Sequence, residues 1–295
     1  MPATATLSLT PLGATIGSLV DGVHLADDLG SATVARLRDA LVERKVLVLR
    51  GQHLTPDQLV AAGRRLGELT DAHPVLPPLD AAHPEVLEID ATRSRQDPRY
   101  RDEWENDTWH TDVSFMPDPP LGSLLSGVVI PPVGGDTAWI DLQAAYESLS
   151  APLQRLADGL DAVHDGRAEF AEFLRDNPDG GRWRGQRFTV IEPVRHPVVR
   201  VHPESGRRSL FVNPTFTTRI VGLSAQEGAD LLALLHRHAT RPEHTFRHRW
   251  SAGDVVIWDN RSTMHVGIRD YGDQHRVLHR VTVAGDVPFG TPPVT

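Results

Sequence analysis

The segment WENDTWHTDVSF places His110 and Asp112 two residues apart. On a β-strand that spacing sends both side chains to one face, so an imidazole nitrogen and a carboxylate oxygen aim at the same point. With a second imidazole the set leaves three positions open on an octahedral metal, the arrangement iron(II) needs to bind a cosubstrate and dioxygen together. The third ligand must come from elsewhere in the chain. The 295 residues include no cysteine, so any metal sits on His, Asp or Glu. His-x-Asp alone is a weak signal: with 15 histidines and 39 acids, roughly two matches to His-x-Asp/Glu arise by chance. Two others do occur, His83 with Glu85 and His202 with Glu204, but each has proline in the middle and sits in a turn signal rather than a strand.

The elements that must position these groups are short. Val34, Leu37 and Leu41 fall at helical spacing in SATVARLRDALVERK, and the strand VLVLR follows. Thr55, Pro56 and Gln58 form a capping box that predicts a helix from about Pro56 to Leu66. Ser224 with Glu227 predicts another, with Leu231, Leu232, Leu235 and Ala239 on its apolar face, and Asp141 caps a third through Tyr146 and Leu149. The opening LSLTPLGATIGSLVDGVHL suits a strand or hairpin. Elsewhere the chain alternates β-type runs with Pro, Gly and Asp: VLEID, SLLSGVVI, DTAWI, HPVVRVH, SLFVN, TFRHRW, DVVIWD and RVTVAGD. Many short strands with few helices predict an antiparallel sandwich or barrel. HPVVRVHPESGRRSLFVN reads as a hairpin turning at PESG. EFLRDNPDGGRWRGQRF is polar and glycine-rich without period, which predicts a mobile loop or lid over 167–188.

A hydrophobic fraction of 40% supports a proper core. Nothing in the composition marks a domain boundary, so residues 1–295 are expected to form one domain. The N-terminus lacks the basic and apolar regions of a signal peptide, and no run approaches the ~20 apolar residues that span a bilayer, so a cytoplasmic protein without membrane partners is expected. A net charge of −9 argues against nucleic acid and for small-molecule partners.

The block WSAGDVVIWDNRSTMHVGIRDYGDQHRVLHRVTVAGDVPFG raises the weight of the His-x-Asp pair. Its strand, WDNR turn, His265, Arg276 and Arg280, with Trp109-His110-Thr111-Asp112 upstream, resemble the signature of the taurine dioxygenase family (TauD/TfdA-like) of Fe(II)/2-oxoglutarate-dependent dioxygenases. The resemblance continues through HPV at 73–75, GGDT at 134–137 and VNPTFTTRIVGLS at 212–224. It runs from about the first helix to Gly290, with 167–188 unmatched.

The resemblance implies an α+β, mainly β fold: a double-stranded β-helix (jelly roll) core over roughly 85–290 with flanking helices, on which the N-terminal elements of 1–84 pack. It implies a metal and catalytic set of His110, Asp112 and His265, the first two near the end of a core strand, and cosubstrate contacts from Thr137, Arg276 and Arg280. A buried dianion such as 2-oxoglutarate suits a planar, permanently charged guanidinium. A polar surface strand is the plainer reading of His275, Arg276, His279 and Arg280, and Trp109 and Trp258 read as core aromatics. The implied reaction consumes 2-oxoglutarate and O2, forms succinate and CO2, and hydroxylates a small anionic substrate. A homodimer or tetramer is the implied assembly.

For substrate, the resemblance points to His73, Leu76, Asn106, Phe216 and Arg280, with Glu105 beside the position of a substrate amine. His73 and Arg280 favour a sulfonate, oxidised with release of sulfite. Leu76 stands where the taurine enzymes carry tyrosine, and a buried amine deprived of that partner would cost on the order of 1–3 kcal/mol. An alkyl sulfate or a natural-product acid is the alternative within the class. Outside it, a cupin-like metal-binding protein would also use histidines and a carboxylate, without needing Arg276 or Thr137.

Overall fold

The computed structural model describes residues 7–92, 108–176 and 181–291. The chain begins with β1 (Ser8–Pro11), β2 (Ser18–Asp21), α1 (Ser31–Arg44), β3 (Val46–Leu49), α2 (Pro56–Arg64) and β4 (Leu87–Asp90). There follow β5 (Gly122–Val129), β6 (Thr137–Asp141), α3 (Leu142–Glu147), α4 (Ala151–Asp158), β7 (Asp161–His164) and α5 (Arg167–Asp176). Next come β8 (Gly181–Trp183), β9 (Gln186–Phe188), β10 (Val194–Pro197), β11 (Val199–Val201), β12 (Arg208–Leu210), β13 (Thr217–Ile220) and α6 (Ala225–Ala239). The last strands are β14 (Thr245–His248), β15 (Val255–Asp259), β16 (Thr263–Gly267) and β17 (Val277–Val283).

A seven-stranded sheet runs β1-β2-β3-β15-β5-β17-β4, and a three-stranded sheet runs β14-β6-β16. Alternation within single strands shows how they pack. Val46 and Val48 of β3 and Val256 and Trp258 of β15 join Trp139 and Phe246 of the small sheet in one core. Their neighbours Leu47, Leu49, Val255 and Ile257 face the other way, against Leu37 and Leu41 of α1 and Leu59 of α2. Strands buried on both faces must be apolar throughout, which is why VLVL and VVIW show no polar alternation. On the far side of the small sheet, Ile140 and Met264 pack with Leu142 of α3, Ala157 of α4 and Leu232 and Leu235 of α6. The result is four layers, helix, sheet, sheet and helix, with the inter-sheet space open for a site.

The capping boxes at Thr55–Gln58 and Ser224–Glu227 form with both reciprocal bonds, each worth about 1 kcal/mol to its helix. Asp141 caps α3, which ends at Glu147 rather than continuing to Leu149. Four details differ from the sequence reading. HPVVRVH is broken: β10 pairs with β7, whereas β11 pairs with β12 across the expected PESG hairpin. Helix α4, opened by Ser150 and Pro152, was not expected. The 167–188 stretch holds a helix with Phe170 and Phe173 buried, then a hairpin with Arg184 (φ 50) and Gly185 (φ 75) at its turn. Positive φ at both central residues matches the right-handed twist of a tight hairpin. Lastly, His110 and Asp112 do not share a strand: His110 forms an isolated bridge with His265, and Asp112 begins a turn.

Candidate metal centre and cavity

His265 lies mid-way along β16, its ring inside the inter-sheet core, 4.8 Å from the Trp258 ring and 6.3 Å from that of Trp139. His110 and His265 exchange backbone hydrogen bonds of 3.0 and 2.8 Å, which sets their rings 4.3 Å apart. Asp112 reaches the pair through the turn. Val113 has φ 53, a left-handed conformation costly for a β-branched residue and the sort of strain that collects at functional sites. Asn260 holds this backbone from both sides: it accepts from the Asp112 N–H at 2.9 Å and donates to the Asp112 carbonyl at 3.0 Å.

One carboxylate oxygen of Asp112, Oδ1, lies 3.8 Å from His110 Nε2 and 3.9 Å from His265 Nε2, too far for hydrogen bonds. Arg280 donates to that oxygen at 2.7 Å, and Ser123 donates to Oδ2 at 2.9 Å. Burial opposes ionisation of Asp112, but Arg280 and the two imidazoles outweigh it and hold the carboxyl below the usual carboxylate range. Burial, with His110 alongside, takes His265 down to about 3, so its ring is neutral. His110 Nδ1 bonds the Thr108 carbonyl at 3.0 Å; a carbonyl only accepts, so Nδ1 carries a proton and Nε2 is the nitrogen that faces Asp112. The ligand atoms of His110, Asp112 and His265 lie within 4.8 Å of one another. This donor set, two imidazoles and one carboxylate, fits a divalent first-row metal.

The three side chains open into a cavity of about 200 Å³ whose lining includes His73, Leu76, Thr137, Phe216, Arg276 and Arg280. Arg280 lies on β17 and Arg276 immediately precedes that strand; with Leu278 between them, both line the cavity. They are buried, unlike the surface strand that the plainer reading had offered; His275 and His279 pair instead with Asp90 and Glu88. Arg276 Nε donates to the Gly135 carbonyl at 3.0 Å, and its guanidinium lies 5.7 Å from the centre of the Tyr271 ring. Burial depresses its pKa, and no described carboxylate lies within ion-pair distance, so a buried cation here calls for an anion from outside.

His73 Nδ1 accepts from the Val75 and Leu76 amides at 3.1 and 3.0 Å. Burial first, and Arg280 second, take its pKa down to about 3. The ring is therefore neutral with its proton on Nε2, a fixed single donor. Phe170 and Phe115 pack against it with ring centres 5.1 and 6.5 Å away. The hairpin β8–β9 presses on the same segment: a Cβ on Gly181 would sit 1.9 Å from the Pro74 carbonyl oxygen. Asn106 and Glu105 lie outside the described residues.

Sequence reasoning missed the groups that support the ligands. Ser123 is, with Ser126, one of two buried serines in the mostly apolar β5, and Asn260 sits inside the WDNR turn. Behind the Asp112 turn, Ser114 Oγ accepts from Asn213 Nδ2 at 2.9 Å and meets His164 Nδ1 at 3.0 Å, while His196 Nε2 donates to the Met116 carbonyl at 3.0 Å. Burial lowers His196 to about 4 and His164 well below its ordinary value. Between the folded and unfolded pKa values, about 4 and 6.5 for His196, the unfolded chain binds more protons. Each such histidine therefore removes up to about 1.4 kcal/mol of stability per unit of falling pH. Urea titrations of metal-free protein should show stability rising from pH 4 to 6.5 and flattening above. His196→Gln, which can still donate to Met116, should reduce that slope; an unchanged slope would count against a neutral buried His196.

The profile of the family described as "Taurine catabolism dioxygenase TauD, TfdA family" matches residues 8–282. An alpha-ketoglutarate-dependent sulfate ester dioxygenase of Pseudomonas putida is 42% identical over 288 residues, 96% of this chain and 91% of the relative. The crystal structure of a taurine dioxygenase from Burkholderia xenovorans superposes with a TM-score of 0.79 at 42% identity, covering 96% of this chain and 93% of that one. The structure of AAD-2 in complex with Mn(II) and N-oxalylglycine superposes with a TM-score of 0.77 at 29% identity, over 96% and 99% of the two chains. Among the described residues no helix is long and apolar enough to cross a membrane. The chain belongs to the TauD/TfdA family of 2-oxoglutarate-dependent dioxygenases.

Proposed function

We propose that this dioxygenase holds iron(II) on His110, Asp112 and His265, uses O2 with 2-oxoglutarate, and oxidises a small sulfur oxyanion carrying an apolar tail. We read the two facing sheets as the core of a double-stranded β-helix, and we take the chain as one such domain. The observation that carries the substrate reading is the wall beside the ligand cluster. Two anion donors, Arg280 and the Nε2–H of His73, adjoin the apolar side chains of Leu76, Val113, Phe170 and Phe216, with Glu169 also on the cavity lining.

Bound iron(II) would supply the redox chemistry that couples decarboxylation of 2-oxoglutarate, and reduction of O2, to oxidation of the substrate carbon. The chain's own part is positioning. Arg276 and the Thr137 hydroxyl hold the distal carboxylate of 2-oxoglutarate, and Arg280 balances charge between Asp112 and an incoming anion. His73 orients the sulfur oxyanion with one neutral donor, and α5 with the β8–β9 hairpin covers the substrate and excludes water. Hydroxylation next to a sulfonate leaves an aldehyde and sulfite; next to a sulfate ester oxygen it leaves an aldehyde and sulfate.

The taurine dioxygenase and sulfate ester dioxygenase relatives are named for one class each. Leu76 and Phe170 favour the ester, because an alkyl tail gains ~0.8 kcal/mol per buried CH2 against their apolar side chains. Coupled succinate formation across taurine, longer alkanesulfonates, alkyl sulfates and phenoxyacetates tests this. Alkyl sulfates are expected to give the highest kcat/KM, with taurine lower by about tenfold or more, and Leu76→Tyr should narrow the gap. Coupled turnover with a carboxylate alone would overturn the sulfur-oxyanion reading.

A further inference from the structure

Thr137 begins β6 at the cavity wall, and Trp250 lies two residues past the end of β14, with only 4% of its surface exposed. The indole Nε1–H donates to Thr137 Oγ1 at 2.9 Å. An indole N–H can only donate, and a hydroxyl has one proton and two lone pairs. This bond therefore uses a lone pair of Thr137 and leaves its proton, which no described residue accepts, for a group in the cavity. Two residues earlier, the Gly135 carbonyl accepts from Arg276 Nε, so one short loop places both the hydroxyl and the guanidinium.

The indole is held by its surroundings rather than by this bond alone. Thr137 pairs with His248 in the β6–β14 ladder, and the His248 ring meets the Trp250 ring edge-on with centres 4.8 Å apart. Gly127 on β5 leaves room for the indole: a Cβ there would lie 3.2 Å from Trp250 Cε3. Burial does not force the bond, because the buried indole nitrogens of Trp139, Trp183 and Trp258 have no partner among the described residues.

We infer that Trp250 is a positioning residue for the cosubstrate: its N–H commits the Thr137 hydroxyl to donate into the cavity, toward the distal carboxylate that Arg276 receives. The inference rests on the 2-oxoglutarate site proposed above. Trp250→Phe keeps an aromatic ring and removes only the donor. Its affinity for 2-oxoglutarate, measured by calorimetry on Mn(II)-loaded protein, should fall about three- to tenfold. Affinity for 2-oxopentanoate, of the same length but without the distal carboxylate, should not change. Thr137→Val should give a similar loss, and Trp250→Phe placed on Thr137→Val should add nothing.

Equal losses for both oxo acids, or additive losses in the double variant, overturn the role of Trp250 while leaving the cosubstrate site intact. Unchanged 2-oxoglutarate affinity in Thr137→Val overturns the inference through the site on which it rests. If Trp250→Phe does not fold, 3-benzothienylalanine at position 250 keeps the bicyclic shape without the N–H, and the same comparison applies.

Discussion

Asp112→Ala is expected to lower coupled succinate formation by at least about three orders of magnitude, equivalent to ~4 kcal/mol, and to remove measurable metal binding at neutral pH. The carboxylate is the only anion of the ligand set, so alanine leaves two imidazoles to hold a divalent cation. It also strips Arg280 of its partner at 2.7 Å, leaving a buried guanidinium where the metal should sit. Loss of ligand and gain of repulsion act in the same direction, so the effect should exceed that of ordinary ligand deletion. Ser123→Ala separates the two contributions: it removes one hydrogen bond to Oδ2 while keeping the charge, and should weaken metal binding about 10- to 100-fold. Calorimetric Mn(II) titration and succinate assay of both variants give the order. Full activity in Asp112→Ala would remove the assigned metal centre.

The contrast between these two residues shows what the sequence made legible. His265 and the arginines following it were readable only through the resemblance of the WDNR block to the family signature, because residue types and spacing alone equally suited a polar surface strand. His110 and Asp112 were found by a spacing argument that assumed a strand, yet their approach depends on a left-handed Val113 and on Asn260, 148 residues away, clamping the turn. No local rule predicts such a clamp. Strands buried on both faces, such as VLVL, declared themselves as apolar runs but not which sheet they would join. Helix α5 was hidden differently. Phe170, Phe173 and Leu174 have helical spacing, but NPDGG directly after them dominates the local composition, and the segment reads as loop. The partners of the ligands, Ser123 on β5 and Arg280 on β17, meet Asp112 only when the large sheet is assembled.

Arg276→Leu is expected to raise the KM for 2-oxoglutarate by about 100-fold, near 3 kcal/mol, with a much smaller effect on the KM of the primary substrate. The guanidinium is buried, has no described carboxylate within ion-pair distance, and rests on the Gly135 carbonyl and the Tyr271 ring. These fix its plane without neutralising it. Such a cation costs stability in the free protein and recovers it when a carboxylate arrives, so the bond it makes to cosubstrate should be worth more than a surface ion pair. Leucine removes the charge, and the protein itself should then be no less stable to urea, since no described carboxylate loses a partner. Gly135→Ala offers a graded version: φ there is 74°, and an added Cβ would stand 3.1 Å from Arg276 Cδ and Nε, tilting the guanidinium without deleting it. Its KM for 2-oxoglutarate should rise by a smaller factor, while 2-oxopentanoate binds Arg276→Leu as well as it binds the parent enzyme. If Arg276→Leu weakened both oxo acids alike, the guanidinium would be holding the cavity's shape rather than the distal carboxylate.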